Sequence, residues 1–395
     1  MAAIAADAAP AVPGVVPKAH LLELTSTRFF AAMAVLLGHF NDFIGMPEWL
    51  ARWISGGFGV SFFFVLSGFI LCYVYWEHFE NGPAREPYRR YLIARFARIY
   101  PSYAAALVLI TAFYFLENAI RPGTFHPPEN ALTSWLANLF ALQTFAPSIA
   151  TQQAWNAPSW SISTEFGFYL VCPLILAGLA AFCRGTRRLL ALLAATWVYA
   201  IAMQAAIVVL VFRYGWDQQF WADIVASRNI FWRIHEFLTG VIAARLLYGG
   251  HVAWLVRSAL SRNLLLLTSF ALVTVLNLAP WPADPASIVV MRQFRLDVAY
   301  TIPFAGIVLA LAAGRTLASP LLSRPSWVFL GDISYGIYIY HWIPWTILAH
   351  AQAFGLKLPL LLVTGVVLGT IMFSAASYLW YERPARLFLR RKFGH

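Results

Sequence analysis

An arginine and a histidine interrupt the first apolar run of this chain: Arg28 and His39, eleven residues apart within residues 21–41. On an α-helix that spacing puts both within about 20° of one face and roughly 16 Å apart along the axis. Ionisable groups at membrane depth are costly and mark sites of chemistry by default. The arginine can hold an anionic group near the inner end. The imidazole, which titrates near neutrality, can move a proton in the outer half. The alternative is a buried histidine bonded to a neighbouring helix and an arginine snorkelling to the interface.

Further along, Arg89, Arg90, Arg95 and Arg98 open an apolar segment. Arg89 and Arg90 sit where a topological anchor belongs. Arg95 and Arg98 share a face one or two turns deeper, and paired guanidinium groups there suit the phosphates of a nucleotide-bearing donor. The stretch Pro158-Ser159-Trp160-Ser161-Ile162-Ser163-Thr164-Glu165 starts another span. Either Ser161 or Ser163 can cap that helix, and Glu165 either complements the helix dipole or orients an imidazole as in nucleophilic triads. Arg233 and Glu236 are an i, i+3 pair that can neutralise each other or bind an acceptor. Ser334, Tyr338 and His341 form a polar stripe on one helix face, which can hydrogen-bond between helices or serve chemistry in the outer half. Glu382 and Arg383 read as structural.

The elements that must position these groups are helices in a bilayer. Of 395 residues, 61% are hydrophobic and 11% charged, against about 25% charged in a soluble domain; the mean hydropathy is +0.67. About ten candidate spans run near residues 21–41, 57–77, 90–116, 159–183, 189–212, 229–248, 263–280, 297–314, 328–350 and 358–381. The gap at about 117–158 is rich in proline and holds an amphipathic piece, Trp135 to Gln143, suited to the interface. With the N-terminus inside, every inner loop is basic, as the positive-inside rule requires. This places both termini in the cytoplasm. The expected fold is therefore an all-α polytopic bundle over residues 21–382, preceded by a disordered tail at 1–20 and followed by a basic tail at 383–395.

The net charge of +11 is thus orientation rather than a nucleic-acid surface, because the basic residues lie between apolar spans. Sixteen Trp and 17 Tyr fit interfacial belts. Cys72, Cys172 and Cys183 have no metal or disulfide spacing and read as small core residues. No Walker loop, dinucleotide fingerprint, zinc spacing or G-x-S-x-G elbow occurs, so the intramembrane polar residues must carry the chemistry.

In order along the chain, Arg28-x10-His39, Gly59-Val60-Ser61-Phe62-Phe63-Phe64-Val65-Leu66-Ser67-Gly68-Phe69, Arg95-x-x-Arg98, Trp160-Ser161-x-Ser163-x-Glu165, Glu236-Phe237-x-x-Gly240, Ser334-Tyr335-x-x-Tyr338-x-x-His341 and Glu382-Arg383-Pro384 resemble the acyltransferase 3 family of membrane O-acyltransferases. The resemblance covers about residues 21–390. Leu24-Thr25-Ser26-Thr27-Arg28 departs from that family's usual Asp-Gly-Leu-Arg-like opening, and Thr164-Glu165-Phe166 stands where Glu-Glu or Glu-Gln is common.

The resemblance implies acyl-CoA, expected to be acetyl-CoA, as a donor substrate, with no permanently bound cofactor and no metal. It implies an acceptor among surface polysaccharides, lipopolysaccharide, peptidoglycan or small molecules, and a place in the bacterial inner membrane. On this basis Arg28, Arg95 and Arg98 are expected to hold the donor. His39 is expected to act as general base or to accept the acyl group itself. Glu165 is expected to orient an imidazole, and His341 to line the acceptor side. Trp160, Ser161, Ser163, Arg233, Glu236 and Tyr338 are expected to bind the acceptor. Three rivals stand beside this reading: a transporter of an acylated sugar or lipid, a passive sensor or scaffold, and an acyltransferase for a cytoplasmic small molecule. No inverted repeat supports the transporter.

Overall fold

Glycine sets how closely the central helices approach one another. In the computed structural model, which describes residues 21–54, 56–123, 130–146, 148–214, 228, 230–279 and 294–394, helix α1 (Leu22–Ile44) crosses α2 (Gly56–Phe79) at Gly59. A Cβ on Gly59 would lie 2.4 Å from the Ala31 carbonyl oxygen, so no other residue permits that contact. The expected disordered tail at 1–20 and parts of the expected loops (124–129, 215–227 and 280–293) lie outside the described residues.

The chain continues through α3 (Arg85–Ile120), the short α4 (Ala131–Leu139), α5 (Trp160–Phe182), α6 (Thr186–Tyr214) and α7 (Ile230–Tyr248). Then come α8 (Ala259–Leu278), α9 (Thr301–Ala312), α10 (Pro325–Asp332), α11 (Ser334–Tyr340), α12 (Trp342–Ala353), α13 (Leu360–Ser377) and α14 (Arg383–Phe393). No strand occurs among the described residues.

Among the described residues, six helical stretches are long and apolar enough to cross a membrane: Glu48–Phe79, Arg85–Ile120, Ala157–Phe182, Thr186–Ala206, Ala259–Leu278 and Leu360–Phe393. The other four expected spans are also helical, but two carry ionisable residues, one is short and one is broken. Helix α1 carries Glu23, Arg28, His39 and Asp42. Helix α7 carries Arg233, Glu236 and Arg245. Helix α9 has only 12 residues, and the helix expected over 328–350 is divided at Ile333 and His341. Pro344 contributes to the second break, because it cannot donate to the Tyr340 carbonyl one turn back.

Helix α1 packs against α2, α10 and α11. Gly331 admits α1, since a Cβ there would meet the Thr25 carbonyl oxygen at 2.0 Å. Helices α2 and α7 are locked by reciprocal contacts: a Cβ on Gly68 would fall 2.0 Å from the Phe237 oxygen, and one on Gly240 1.9 Å from the Val65 oxygen. Small residues that let helix backbones touch are the usual means of association in lipid, where apolar burial gives no driving force. The outer faces of α8 and α13 expose Leu264, Leu267, Leu361, Leu368 and Met372, as lipid-facing surfaces do. Helix α4 buries Ser134 and Asn138 and exposes Leu132 and Leu136.

The basic segment expected as a tail at 383–395 is helical over Arg383–Phe393 and lies along α3. Arg89 Nη1 donates to the Phe393 carbonyl at 3.0 Å, and Tyr381 Oη donates to the Pro101 carbonyl at 3.2 Å.

Candidate active site

His39 comes from the C-terminal part of α1 and His341 from the break between α11 and α12. His39 Nδ1 lies 3.0 Å from His341 Nε2, with the rings stacked at 5.1 Å between centroids. His341 is fully buried, and its Nδ1 is 2.6 Å from the Tyr338 carbonyl oxygen. A carbonyl only accepts, so His341 Nδ1 must carry the proton. Neutral His341 then presents a lone pair at Nε2, and His39 Nδ1 must donate to it. Neutral His39 is left with its own lone pair at Nε2. That ring edge faces Gly56, whose absent Cβ would lie 3.7 Å from Nε2. The backbone carbonyl of Tyr338 thus fixes both tautomers. Trp345 Nε1 donates to the His39 carbonyl at 2.9 Å, and the Trp342 ring meets His39 edge-on at 5.3 Å.

Toward the N-terminal end of α1 from this pair lies a cavity of about 100 Å³ bounded by Arg28, Arg95, Arg98, Arg386, Glu165 and Tyr338, among others. Arg28, Arg95 and Arg98 therefore converge, although they come from two helices. Arg95 Nη2 donates to Tyr75 Oη at 3.0 Å and the guanidinium stacks over that ring; its Nε is buried without a hydrogen bond. Among the described residues no hydrogen bond or ion pair engages Arg28, Arg98 or Arg386. Four guanidinium groups outnumber the carboxylates of Glu165, Asp332 and Glu382 around the same open space, an excess of positive charge that suits an anion. Tyr338 joins the two halves: its ring lines the cavity and its carbonyl holds His341.

Glu165 is placed differently from its expected position beside an imidazole. Its Oε1 accepts from Ser67 Oγ at 2.7 Å and from Tyr169 Oη at 2.6 Å. It projects from the N-terminal turns of α5, which border the arginine cavity, whereas the histidines sit nearer the C-terminal end of α1. The side chain within hydrogen-bond distance of His39 Nδ1 is that of His341, an imidazole and not a carboxylate.

The expected acceptor residues divide. Tyr338 Oη donates to the Pro158 carbonyl at 2.8 Å and pairs with Ser161 Oγ at 2.6 Å; both side chains border the cavity. Ser163 instead donates to the Ala141 carbonyl at 2.6 Å and pairs with Thr144 Oγ1 at 2.7 Å, pinning the segment after α4. Arg233 and Glu236 form a buried two-point ion pair, at 2.9 and 3.0 Å, with Arg233 also donating to Ser61 Oγ at 3.1 Å. Neither borders the cavity. Trp160 stacks under Arg233, 5.8 Å from its ring centroid, and under Arg228, at 5.1 Å.

Residues 21–379 match a family described as acyltransferase domain. The chain belongs to the acyltransferase 3 family. It is 28% identical over 349 residues to Acyltransferase MdmB of Streptomyces mycarofaciens, covering 82% of this chain and 79% of that protein. It is 23% identical over 397 residues to the putative peptidoglycan O-acetyltransferase YrhL of Bacillus subtilis, covering 95% of this chain and 57% of that one. A shorter similarity, 24% over 196 residues, links it to the peptidoglycan O-acetyltransferase OatA of Listeria monocytogenes and covers 45% of this chain and 29% of OatA. No solved structure matches.

As a member of the acyltransferase 3 family the protein is a multi-pass membrane enzyme that transfers acyl groups other than aminoacyl groups. Several residues at this acyltransferase site were not singled out for a role by the sequence. Tyr169 is one turn from Glu165, an i, i+4 relation open to inspection. Ser67 and Arg386 gave less signal: one is a serine among glycines and aromatics, the other one of several basic residues at the chain's end. Tyr75 has no local pattern linking it to Arg95 on the next helix.

Proposed function

We propose that the enzyme transfers an acetyl or other short acyl group from cytoplasmic acyl-CoA to a hydroxyl of an extracytoplasmic polysaccharide or glycolipid. It does so in a bacterial inner membrane, through ten membrane crossings with both termini in the cytoplasm. The basic inner segments favour that topology. The four further helical segments described above, added to the six long apolar ones, make up the ten.

The single observation that carries the reading is the hydrogen-bonded line from the Tyr338 carbonyl through His341 to His39. It leaves a lone pair at His39 Nε2, and Tyr338 links that line to the arginine-lined cavity. In this mechanism Arg28, Arg95 and Arg98 hold the donor with its thioester toward Tyr338. The acceptor oxygen attacks the thioester carbonyl carbon while its proton passes to His39 Nε2. The His39 imidazolium is held by its Nδ1–H bond to His341. Collapse of the tetrahedral intermediate breaks the carbon–sulfur bond, and the leaving thiolate takes the proton back from His39. The products are the O-acyl ester and free CoA. His341 acts here as a positioning residue, as the carboxylate does in nucleophilic triads.

Similarity to two proteins named for peptidoglycan O-acetylation supports a saccharide acceptor. The test is an assay of purified wild type, His39→Ala and Arg95→Ala with labelled acetyl-CoA and a panel of saccharide acceptors. Donor binding lost in Arg95→Ala and CoA release lost in His39→Ala uphold the reading. Normal turnover in a folded His39→Ala protein overturns the assignment of the base.

A further inference from the structure

A second, wider space opens on the inner side, between the first turns of α3 and the face of α14. It holds about 700 Å³ and is bordered by Tyr75, His78, Arg90, Tyr91, Arg390 and Arg391, among others. Glu86 also borders it and is engaged by Arg89 and Arg90, at 3.0 and 2.8 Å. The side chains of Arg390 and Arg391 make no hydrogen bond or ion pair among the described residues. The groove is built rather than incidental, because Arg89 ties the end of α14 to α3 through the Phe393 carbonyl.

The two spaces run along the same two helices. On α3, Arg90 borders the groove and Arg95 and Arg98 the cavity. On α14, Arg390 borders the groove and Arg386, one turn earlier on the same face, the cavity. Tyr75 borders the groove and bonds Arg95. From Arg90 to Arg98 is about 12 Å of helix, a span that an extended pantetheine arm bridges. The inner cavity, at about 100 Å³, is too small for a nucleotide, whereas small-molecule sites commonly hold about 300–1,000 Å³.

We infer that this basic groove seats the phosphate-bearing nucleotide end of the donor, with Arg90, Arg390 and Arg391 on its phosphates, and that the cavity arginines receive the narrow acyl-pantetheine end. The inference rests on the proposed acyl-CoA donor. It assigns α14 a ligand-binding role beyond that of a topological anchor. Phosphates of anionic lipid headgroups share this chemistry and are the competing source.

The experiment uses the full-length protein in nanodiscs of phosphatidylcholine, alone and with added anionic lipid. Binding of acetyl-CoA and of 3′,5′-ADP is measured for wild type, for the double variant Arg390→Gln/Arg391→Gln, and for Arg187→Gln/Arg188→Gln as a control for lost inner charge. Removing charged contacts to phosphate is expected to weaken both ligands about tenfold or more in the first double variant only. Turnover of acetyl-pantetheine, which has no nucleotide, should stay unchanged. Wild-type-like binding of both ligands by that variant overturns the inference and leaves the proposed function standing. Loss of binding in that variant confined to nanodiscs containing anionic lipid assigns the groove to headgroups and also overturns it. If 3′,5′-ADP binds and is lost in the variant but no acyl group is ever transferred, the groove is upheld and the proposed function fails. A wild type that binds neither ligand overturns both.

Discussion

His39 Nδ1 and His341 Nε2 stand 3.0 Å apart although 302 residues separate them in the chain. The direction of that hydrogen bond follows from the carbonyl of Tyr338 behind it, and it leaves one basic nitrogen at the site. Replacing His39 with Ala should lower CoA release by about 10²–10⁴-fold, the usual contribution of a general base. His341→Ala should lower it less. His341→Gln should recover part of that loss, because a Gln amide can accept from His39 and donate to the Tyr338 carbonyl. The check is kcat in all three variants. Equal activity in His341→Ala and wild type would remove His341 from the mechanism.

Arg95 tests the donor cavity. Its guanidinium is oriented by Tyr75 and faces open space. Arg95→Ala should raise the KM for acetyl-CoA by about tenfold or more. Arg95→Lys should restore little, because an ammonium cannot reproduce the planar fork. Tyr75→Phe should give a smaller rise, since it removes only the orienting hydroxyl. Steady-state kinetics at saturating acceptor separate these effects, and an unchanged KM in Arg95→Ala would place the donor elsewhere.

The reciprocal contact of Gly68 and Gly240 concerns stability. An alanine at 240 would put a Cβ 1.9 Å from the Val65 oxygen, so α2 and α7 must separate. Overpacking of a core costs about 1–3 kcal/mol, and here the clash is with rigid backbone. Gly240→Ala should therefore lower the melting temperature in detergent and the folded yield. Gly365→Ala, with nothing within 4 Å of the new Cβ, should leave both unchanged. A Gly240→Ala protein that melts like wild type would refute the close approach.

Arg233 and Glu236 were candidates for acceptor binding, and their burial makes a different outcome testable. Removing one partner of a buried pair strands a charge at a cost of about 3–5 kcal/mol, whereas replacing both with apolar residues is often neutral. Arg233→Met alone should melt far below wild type, and Arg233→Met/Glu236→Leu should recover most of the loss. If the recovered double variant still transfers acyl groups, the pair holds the bundle together. If it is folded and inactive, the acceptor role returns.

Much of this was legible in the sequence. Hydropathy marked the membrane character and most of the helices. The eleven-residue spacing put Arg28 and His39 on one face of α1, and the three-residue spacing put Arg95 and Arg98 on one face of α3. Ordered short motifs pointed to the acyltransferase 3 family. These are local properties, set by residue type and helix period.

What local periodicity does not contain is the rotation of one helix against the next. That rotation is decided where backbones touch, at Gly59, Gly68, Gly240 and Gly331. It is why His39 faces His341 while Glu165 faces Ser67 and Tyr169, and why Ser163 pins a connecting segment while Ser161 borders the cavity. The sequence determined which residues could do chemistry and on which helical faces they lie. Only packing in three dimensions decided which of them meet, because a hydrogen bond between helices depends on ångström-scale approach that no one-dimensional pattern encodes.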